Sequence, residues 1–387
     1  MISEVPLPEL LVTIVDNRGR TCPTSEHGFP LIATNCVRRD QLYPSFDNVR
    51  YIDDNTYKTW FRGHPKADDI VFVCKGDPGR TALVPDPVPF AIAQDMVALR
   101  PDRAKVAGRY LFYALRSRKV QERIANMHVG TMIPHFKKGD FGKLLIPVHN
   151  DLTEQQAIAE VLGALDDKIA ANTALGERAD ELMHQTFRSL VKTSEAPLST
   201  VANFVNGKAF TKGASGTGRV VVRIAELNGG IGGSTVYSDA AVDDKHVARP
   251  GDILFAWSGS LTLHRWFREE AIVNQHIFKV IPHDQYPAWL VYELIRLKLA
   301  DFKAIAADKA TTMGHIQRHH LDELVGLPTT ANLNRLGPLM SALWSASLTA
   351  ERESLTLIAT RDALLPQLMS GKLRVRDAER IAAEAGA

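Results

Sequence analysis

Cysteine is scarce in this chain, where Cys22, Cys36 and Cys74 are the only three in 387 residues. They lie far apart and form no CxxC pair, which excludes the usual zinc-ligand spacings and indicates a reducing compartment. Apolar runs are also too short for a membrane-spanning helix. The opening residues MISEVPLPELL contain an acid and two prolines where a secretion signal needs an uninterrupted apolar core, so we expect a cytoplasmic protein.

Net charge is equally low, at +2, although 23% of the residues are charged and 45% are hydrophobic. This composition is typical of a soluble globular protein. At 387 residues, two domains with connecting segments are expected. If the ligand is a nucleic acid, its phosphates must meet a local basic face or be shared with partner subunits, because a nearly neutral chain neutralises few of them.

Sequence motifs of catalysis are missing as well. The chain has no glycine-rich cofactor loop after a strand, no GxxxxGK phosphate loop, no HExxH motif and no Asn-Pro-Pro-aromatic tetrad. PDRAK at Pro101–Lys105 is similar to part of a nuclease motif, but the nearest acid-acid-lysine, Asp166–Lys168, lies in a predicted helix. We therefore expect a non-catalytic chain that itself binds no metal and no cofactor.

What the chain does contain is an internal repeat. GTMIPHFKKGDFGKLLIP (Gly130–Pro147) recurs as TTMGHIQRHHLDELVGLP (Thr311–Pro328). Earlier stretches also match in order: PLIATNCV with VVVRIAEL, ADDIVFV with PGDILFA, FAIAQDMVAL with AIVNQHIFKV, and YLFYAL with WLVYEL. Gln94 and Gln275 are separated by 275 − 94 = 181 positions. Each copy begins with strand patterns and continues into a helix pattern, which predicts two similar globular α+β units.

Residues that the two copies share are interpreted as scaffold, because the two copies have their fold in common. The matched pairs Asp69 with Asp252 and Tyr113 with Tyr292 belong to this class.

A long helix is predicted after each copy, over Asn150–Val191 and over Leu339–Leu373. Their apolar residues recur every three or four positions and form one stripe per helix. The residues of the stripes are Ile158, Leu162, Leu165, Ile169, Leu175, Leu182 and Phe187 in the first helix, and Leu339, Leu343, Leu357, Leu364 and Leu368 in the second. We expect the stripes to pack together as an antiparallel coiled coil. The alternative, each helix on its own unit, is disfavoured because about 50 Å of helix exceeds what one small domain can cover.

Helix ends carry their own signals. Asp151 followed by Glu154 forms a capping pattern at the start of the first helix. In the second helix, Pro338 is expected in the first turn, Pro366 is expected to kink or stop the helix, and Gly371 is expected to terminate it.

The sequence thus predicts an α+β protein with four segments: a globular unit over 1–149, a spacer helix over 150–193, a second globular unit over 194–330, and a second spacer helix with a tail over 331–387.

This organisation resembles the DNA-specificity subunit of type I restriction-modification systems, which serve in phage defence. The stretches that carry the resemblance are the paired strand words, GTMIPH with TTMGH, LTEQQAIAEVLGALDDKI after the first unit and RDALLPQLMSGKL after the second. They extend over nearly the whole chain, and their order at both repeats is more specific than any one of them. Asn150-Asp151 departs from the proline-rich helix entry that is frequent in the family.

The resemblance implies a function and partners. Each globular unit would be a target-recognition domain that reads one half of a bipartite, asymmetric site in double-stranded DNA. The helices would set the spacing and dock two DNA-methyltransferase subunits, which would bind S-adenosylmethionine. Restriction subunits, the motor-nucleases, would join for cleavage.

The predicted DNA-binding residues are polar or basic and lie in the repeated motif, in the loops after matched strands and before the first matched strand of each unit. They are Arg18, Arg20, Lys75, Arg80, Gln94, His135, Lys137 and Lys138 in the first unit, and Lys208, Lys212, His264, Arg265, Gln275, His276, His315, Gln317 and Arg318 in the second. Those assigned to the coiled coil or to partner docking are Ile158, Leu162, Leu165, Ile169, Leu182, Leu343, Leu357, Leu364 and Leu368.

Each prediction has a plainer alternative. The basic residues also suit solvated turns, and a glutamine at a strand end often bonds local backbone. His315 and His319 are four apart, but spacing implies no third metal ligand. For the whole chain, a coiled-coil scaffold that binds only proteins and a nuclease with diverged motifs remain open.

Overall fold

The computed structural model describes residues 1–17, 21–46, 48–127, 133–190, 192–308 and 314–387. Two compact units are present: Met1–Ala171 with Ser354–Ala387, and Asn172–Glu353. We call them the first and the second unit. Over the ranges given, no helix is both long enough and apolar enough to cross a membrane.

The strands, in chain order, are β1 Ile2–Pro6, β2 Leu11–Val15, β3 Phe29–Ile32, β4 Arg50–Ile52, β5 Ile70–Val73, β6 Thr81–Leu83, β7 Ala91–Ile92, β8 Met96–Pro101, β9 Leu145–His149, β10 Lys192–Pro197, β11 Ala202–Asn206, β12 Arg219–Val222, β13 Val236–Ser238, β14 Val247–Ala248, β15 Ile253–Ala256, β16 Thr262–Arg265, β17 Ala271–Val273, β18 Ile277–Pro282 and β19 Leu324–Pro328. The α-helices are α1 Asp54–Thr59, α2 Gly108–Arg116, α3 Arg118–Met127, α4 Leu152–Ser189, α5 Ile224–Gly229, α6 Ala288–Asp308, α7 Thr330–Met369 and α8 Val375–Glu384.

The first unit contains an antiparallel sheet in the order β2-β8-β5-β6. A smaller sheet has the order β4-β3-β7, in which β3 and β7 are parallel. The pair β1-β9 joins the beginning of the unit to its end. All four residues of β5 are buried, as its uninterrupted apolar sequence IVFV predicts for a strand covered on both faces.

The second unit repeats this topology. Its sheets have the orders β11-β18-β15-β16 and β13-β12-β17-β14, and β12 is parallel to β17. The pair β10-β19 takes the place of β1-β9. The matched sequence stretches therefore form matched strands, and the predicted internal repeat of α+β units is confirmed.

The two shared aspartates act as scaffold, as expected. Asp69 is buried and accepts hydrogen bonds from Arg100 at 2.9 and 2.8 Å. At the matched position, Asp252 pairs with Lys279 of β18 at 2.9 Å. Each aspartate also accepts a backbone N–H three residues before it, which fixes the turn into the strand.

The long helices pair in both units, which confirms the coiled coil. In the second unit, Asn172 of α4 donates to Glu353 of α7 at 2.7 Å, and Ser347 of α7 donates to the main-chain oxygen of Gly176 at 3.2 Å. As the residue number increases along α4, the number of its partner in α7 decreases, so the two helices are antiparallel in this unit. In the first unit, buried Asp166 and Arg361 pair at 2.6 Å.

The leucines of the pairing stripe are buried in the first unit. Leu162, Leu165 and Leu357 are fully buried, and Ile158, Leu364 and Leu368 are nearly so. Ile169 is partly buried against the same core.

In the second unit, the predicted stripe of α4 is wrong by one position at two leucines. Leu175 and Leu182 are 50% and 49% exposed. The predicted Phe187 is buried, but the rest of the buried face of α4 is formed by Asn172, Gly176, Ala179 and Met183. Small and polar residues there let α7 approach closely, so apolarity alone misplaced the stripe. In α7, Leu339 is likewise 45% exposed, while Leu343 is partly buried.

The start of α7 also differs from the prediction. The helix begins at Thr330, so Pro338 lies inside it rather than in its first turn. Thr329 is the residue that caps it, because its hydroxyl accepts the N–H of Asn332 at 3.1 Å. The helix continues through Pro366 to Met369, and Gly371 follows with φ of 68°, as expected of a terminator.

Candidate nucleic-acid interface

Four segments of the second unit meet beside the end of β15. The main-chain N–H of Trp257 donates to the oxygen of His276 at 3.1 Å, and Ile316 donates to the oxygen of Trp257 at 3.1 Å. Gln275 donates to the oxygen of Lys208 at 2.9 Å. The loop after β15, the turn between β17 and β18, the segment after β11 and the repeated motif therefore form one surface.

The first unit has two of these contacts at matched positions, and both units share a further bridge. Cys74 donates to the oxygen of Asp95 at 2.8 Å, and Phe136 donates to the oxygen of Cys74 at 2.8 Å. Lys75 and His135 form a bridge, as Ser258 and His315 do in the second unit. We call the two regions the first and the second convergence surface.

Buried rings hold the repeated motif in place. In the first unit, Phe136 and Phe141 pack on Phe72 of β5, with ring centroids at 5.8 and 5.4 Å. Because these two rings point into the core, Lys137 between them is exposed. The apolar spacing of the motif thus turns its basic residues outward.

The turn before β8 and the turn before β18 share an uncommon backbone. Asp95 has φ of 70° and His276 has φ of 72°, although neither is glycine. Aspartate and histidine are among the residue types that tolerate this left-handed region, which costs some strain. Strained turns that recur at matched positions indicate a functional constraint, and each directly follows a glutamine, Gln94 or Gln275.

Aromatic and polar side chains cover the second convergence surface. The indole N–H of Trp257 donates to Asn206 at 2.8 Å, and its ring lies 5.2 Å from His276 and 6.3 Å from His315. Around them, the exposed side chains that the sequence assigns to DNA binding are Lys208, Lys212, Gln275, His276, His315, Gln317 and Arg318. A flat ring surface edged by donors and cations suits stacking and hydrogen bonds to nucleic acid.

The first convergence surface is less basic. Lys75 and His135 are half-buried, and Lys138 forms an ion pair with Asp16. Gln94 is half-buried, and its buried Oε1 has no hydrogen-bond partner among the residues described. The two surfaces therefore offer different donors and acceptors on one backbone plan.

Three predicted residues lie elsewhere. Arg265 is buried and bonds Asp180 at 3.1 Å and Glu351 at 3.0 Å, so its placement does not suit contact with DNA. Arg80 donates to the main-chain oxygen of Val37 at 2.7 Å. His264 lies on β16, where burial lowers the pKa of its imidazole.

Arg18 and Arg20 lie outside the described residues, as do Thr131 and Met132 of the first motif and Thr312 and Met313 of the second. Within the ranges that the structure covers, no three His, Cys, Asp or Glu side chains are grouped as metal ligands.

Sequence reasoning missed three residues of these surfaces: Asp95, Asn206 and Trp257. Asp95 occupies the position matched to His276, so the repeat itself contained the signal. Trp257 directly follows a buried strand, and a large aromatic residue at the start of a loop is a signal that the sequence offered for this surface. Nothing in the sequence points to Asn206, because its partner is 51 residues away.

Comparisons with known proteins indicate which family and which fold this chain resembles. Residues 28–179 match the family model of the type I restriction modification DNA specificity domain. No curated protein matches the chain. Among solved structures, the chain is similar to the type I restriction-modification S subunit from M. genitalium, with 16% identity, a TM-score of 0.61, and coverage of 95% of this chain and 96% of that one.

The HsdS subunit from Thermoanaerobacter tengcongensis matches at 17% identity and a TM-score of 0.38, over 96% of this chain and 97% of that one. At 16% identity, the match to the M. genitalium subunit shows the fold alone. The resemblance drawn from the sequence is thus confirmed: residues 28–179 match the model of the type I restriction modification DNA specificity domain, and the fold of nearly the whole chain is similar to that of an S subunit.

Proposed function

We propose that this chain is the DNA-recognition subunit of a type I restriction-modification complex and that each unit reads one half of a bipartite, asymmetric site. The observation that supports the proposal is the pair of convergence surfaces. Each has the same main-chain framework and the same left-handed turn, but the side chains differ. Two copies of one framework with different side chains are what two different half-sites require.

In the second unit, the proposed reading set is Gln275, His276, His315, Gln317 and Arg318, with Lys208 and Lys212 at phosphates. Glutamine pairs bidentately with adenine, and arginine pairs with guanine. In the first unit, Gln94, His135 and Lys137 take the corresponding places, with Lys75 and Lys138 beside them. Arg18 and Arg20 belong to the same proposal from sequence alone.

The long helices complete the proposed function. They set the spacing of the half-sites and dock two methyltransferase subunits, and restriction subunits join that complex. Exposed Leu175, Leu182 and Leu339 are apolar side chains that α4 and α7 leave uncovered in the second unit, which suits a protein partner. The chain itself contributes recognition and no catalysis, and S-adenosylmethionine is bound by the methyltransferase partners.

The test is an exchange of recognition segments. Residues Val201–Leu327 are replaced with the matching segment of a relative, and the methylated sequence is determined by methylome sequencing of cells that also express the methyltransferase subunit. We expect one half of the methylated sequence to change and the other to stay.

Changes in both halves would contradict independent reading. Unchanged methylation by an assembled complex would contradict DNA recognition by this chain and favour a protein scaffold. The control is the same replacement made with the chain's own segment, encoded by different codons so that the protein sequence is unchanged.

A further inference from the structure

A cleft in the first unit is lined mainly by arginines. Arg39, Arg80 and Arg116 come from its globular part, and Arg361 comes from α7. The cleft has a volume of about 170 Å³. That is room for roughly five or six waters at ~30 Å³ each, and less than pockets for drug-sized ligands offer. Its size and charge therefore suit a small anionic group.

Thr81 lines this cleft, and within the described part of the chain its hydroxyl is unpaired. The residue is 1% exposed, and its Oγ1 has no hydrogen-bond partner among the residues that the structure describes. Buried hydroxyls are normally paired, because leaving one unpaired costs free energy. The hydroxyl of neighbouring Tyr113 is already used, since it donates to Asp166 at 2.8 Å. A ligand in the cleft would supply the missing partner of Thr81.

Arg116 is the least neutralised of the four arginines. Its guanidinium donates to the main-chain oxygens of Arg39 and Gln41, the latter at 3.1 Å, and in the described chain it has no carboxylate hydrogen-bonded to it. Both of these bonds are made by Nη2, and the guanidinium lies 4.7 Å from the ring of Phe112. Burial lowers the pKa of Arg116, and the charge of Arg361 lowers it further, against the opposing effect of Asp166. An anion placed here would offset this unfavourable charge.

The carboxylates that bond the other arginines do not balance the positive charge of the cleft. Arg39 bonds Asp77 at 2.6 Å, and Arg361 bonds Asp166 at 2.6 Å and Asp362 at 2.8 Å. Four guanidinium groups thus meet three carboxylates. The shape of a guanidinium favours bidentate bonds to phosphate-type oxygens over a single point contact.

The second unit lacks the counterparts of Thr81 and Arg116. By strand register, Thr81 corresponds to Leu263, since each lies opposite the third residue of the preceding strand, Phe72 or Phe255. By the matched words YLFYALR and WLVYELI, Arg116 corresponds to Ile295. The cleft is therefore not part of the framework that the two units share, and the scaffold alone does not account for it.

We propose that this cleft is a binding site for one phosphate-class oxyanion, held by Arg116, Thr81 and Arg361. The anion is either free phosphate or a phosphate of the DNA backbone. The second source fits the position, because an adjoining groove shares Arg39 with the cleft and extends to Gly76–Pro78, in the loop that begins at Lys75 of the first convergence surface.

The test is calorimetric titration of the full chain with sodium phosphate, against sodium chloride at matched ionic strength. We expect one saturable site for phosphate and none for chloride. Arg116→Gln should weaken phosphate binding about tenfold or more, because a charge-assisted pair of bonds is lost. Arg103→Gln is the matched control, since it removes the same charge from a side chain that is 79% exposed and pairs with Asp68.

Thr81→Val tests the site without a change of charge. The two side chains have nearly the same shape, so the variant should fold at least as stably as the unmodified chain while binding phosphate several-fold more weakly. No saturable phosphate binding, or phosphate affinity unchanged in both Thr81→Val and Arg116→Gln, would overturn the proposal.

Titration in the presence of duplex DNA and the methyltransferase subunit identifies the source. Competition between duplex and phosphate assigns the site to a backbone phosphate, and simultaneous binding assigns it to a free anion. Only this arm depends on the proposed recognition of DNA. The phosphate titration of the chain alone stands without it.

Discussion

At the scale of the residue, the guanidinium of Arg265 joins three elements of the second unit. It lies on β16 and bonds Asp180 of α4 and Glu351 of α7, and it also donates to Ser347 at 2.6 Å. The ring of Trp344 lies 4.8 Å from it. Burial acts to lower the pKa of Arg265, but the bonds to Glu351 and Asp180 outweigh this and raise it. Arg265 is thus a structural cross-link between the sheet and the helix pair.

Replacing Arg265 with Met should therefore destabilise the second unit by about 3–5 kcal/mol, because the carboxylates of Asp180 and Glu351 lose their buried partner. Urea unfolding measures the change. Arg249→Gln is the control and should leave the transition nearly unchanged, since Arg249 is 43% exposed and its ion pairs face solvent. A loss below about 1 kcal/mol for Arg265→Met would contradict the cross-link. Adding Glu351→Gln should restore part of the loss.

A second prediction concerns pH. Glu4 of β1 bonds Arg123 and Lys119 of α3, each at 2.5 Å, and the hydrogen bond from Arg123 is the main cause that lowers the pKa of Glu4 to about 2. A lowered pKa stabilises the fold above the unfolded value of 4.5, and this contribution is lost as pH falls from 4.5 towards 2. Since Glu4 is 35% exposed, we expect about 1 kcal/mol after solvent screening.

Urea unfolding at several pH values below neutrality checks this. The unmodified chain should lose stability more steeply than Glu4→Gln as the solution is acidified. Parallel curves for the two proteins would show that Glu4 contributes no such linkage.

At the scale of the element, the turn from β17 to β18 sets the geometry of the second convergence surface. His276→Gly should keep or slightly raise stability, because glycine adopts the φ of 72° freely. His276→Val should cost about 1–2 kcal/mol, because a β-branched residue is strained there. Urea unfolding of the two variants gives the comparison. Equal stabilities would mean that the backbone relaxes out of the left-handed region.

The same elements show how far the sequence could predict the fold. Strands β5 and β15 follow from the sequences IVFV and ILFA, and their correspondence between the two units follows from the order in which the matched stretches repeat. The buried face of α4 near Asn172 and Gly176 could not be predicted, because small and polar residues become buried only when α7 lies against them. The first turn of α7 was misplaced near Leu339, because Pro338 is a stronger local signal than a threonine cap.

The convergence surfaces were predictable in part. Repetition of the motif pointed to His135 and His315, and both lie where strand ends and loops meet. The role of Arg265 was not predictable, because its partners are 85 and 86 residues away and its loop reads as an exposed basic one. Whether the individual polar residues read bases stays a prediction.

At the scale of the whole molecule, both long helices contain residues of both units. The division falls between Ala171 and Asn172 in α4, and between Glu353 and Ser354 in α7. If the helix pair is the spacer, its length sets the distance between the half-sites, as the geometry of a dimer does for other DNA readers.

One added helical turn in each helix, after Ala171 and after Glu353, should therefore lengthen the spacer by about 6 Å. Since base pairs stack at about 3.4 Å, the gap between half-sites should grow by roughly one or two base pairs while the sequence of each half stays the same. Both helices must be extended together, because one extension alone would shift the contact of Asn172 with Glu353 out of register. Insertions far from a whole turn should rotate the buried faces apart and disrupt the pair, and they serve as the control. Methylome sequencing measures the gap between the methylated half-sites. A folded, active variant that still methylates sites with the original gap would show that the helices do not set the distance.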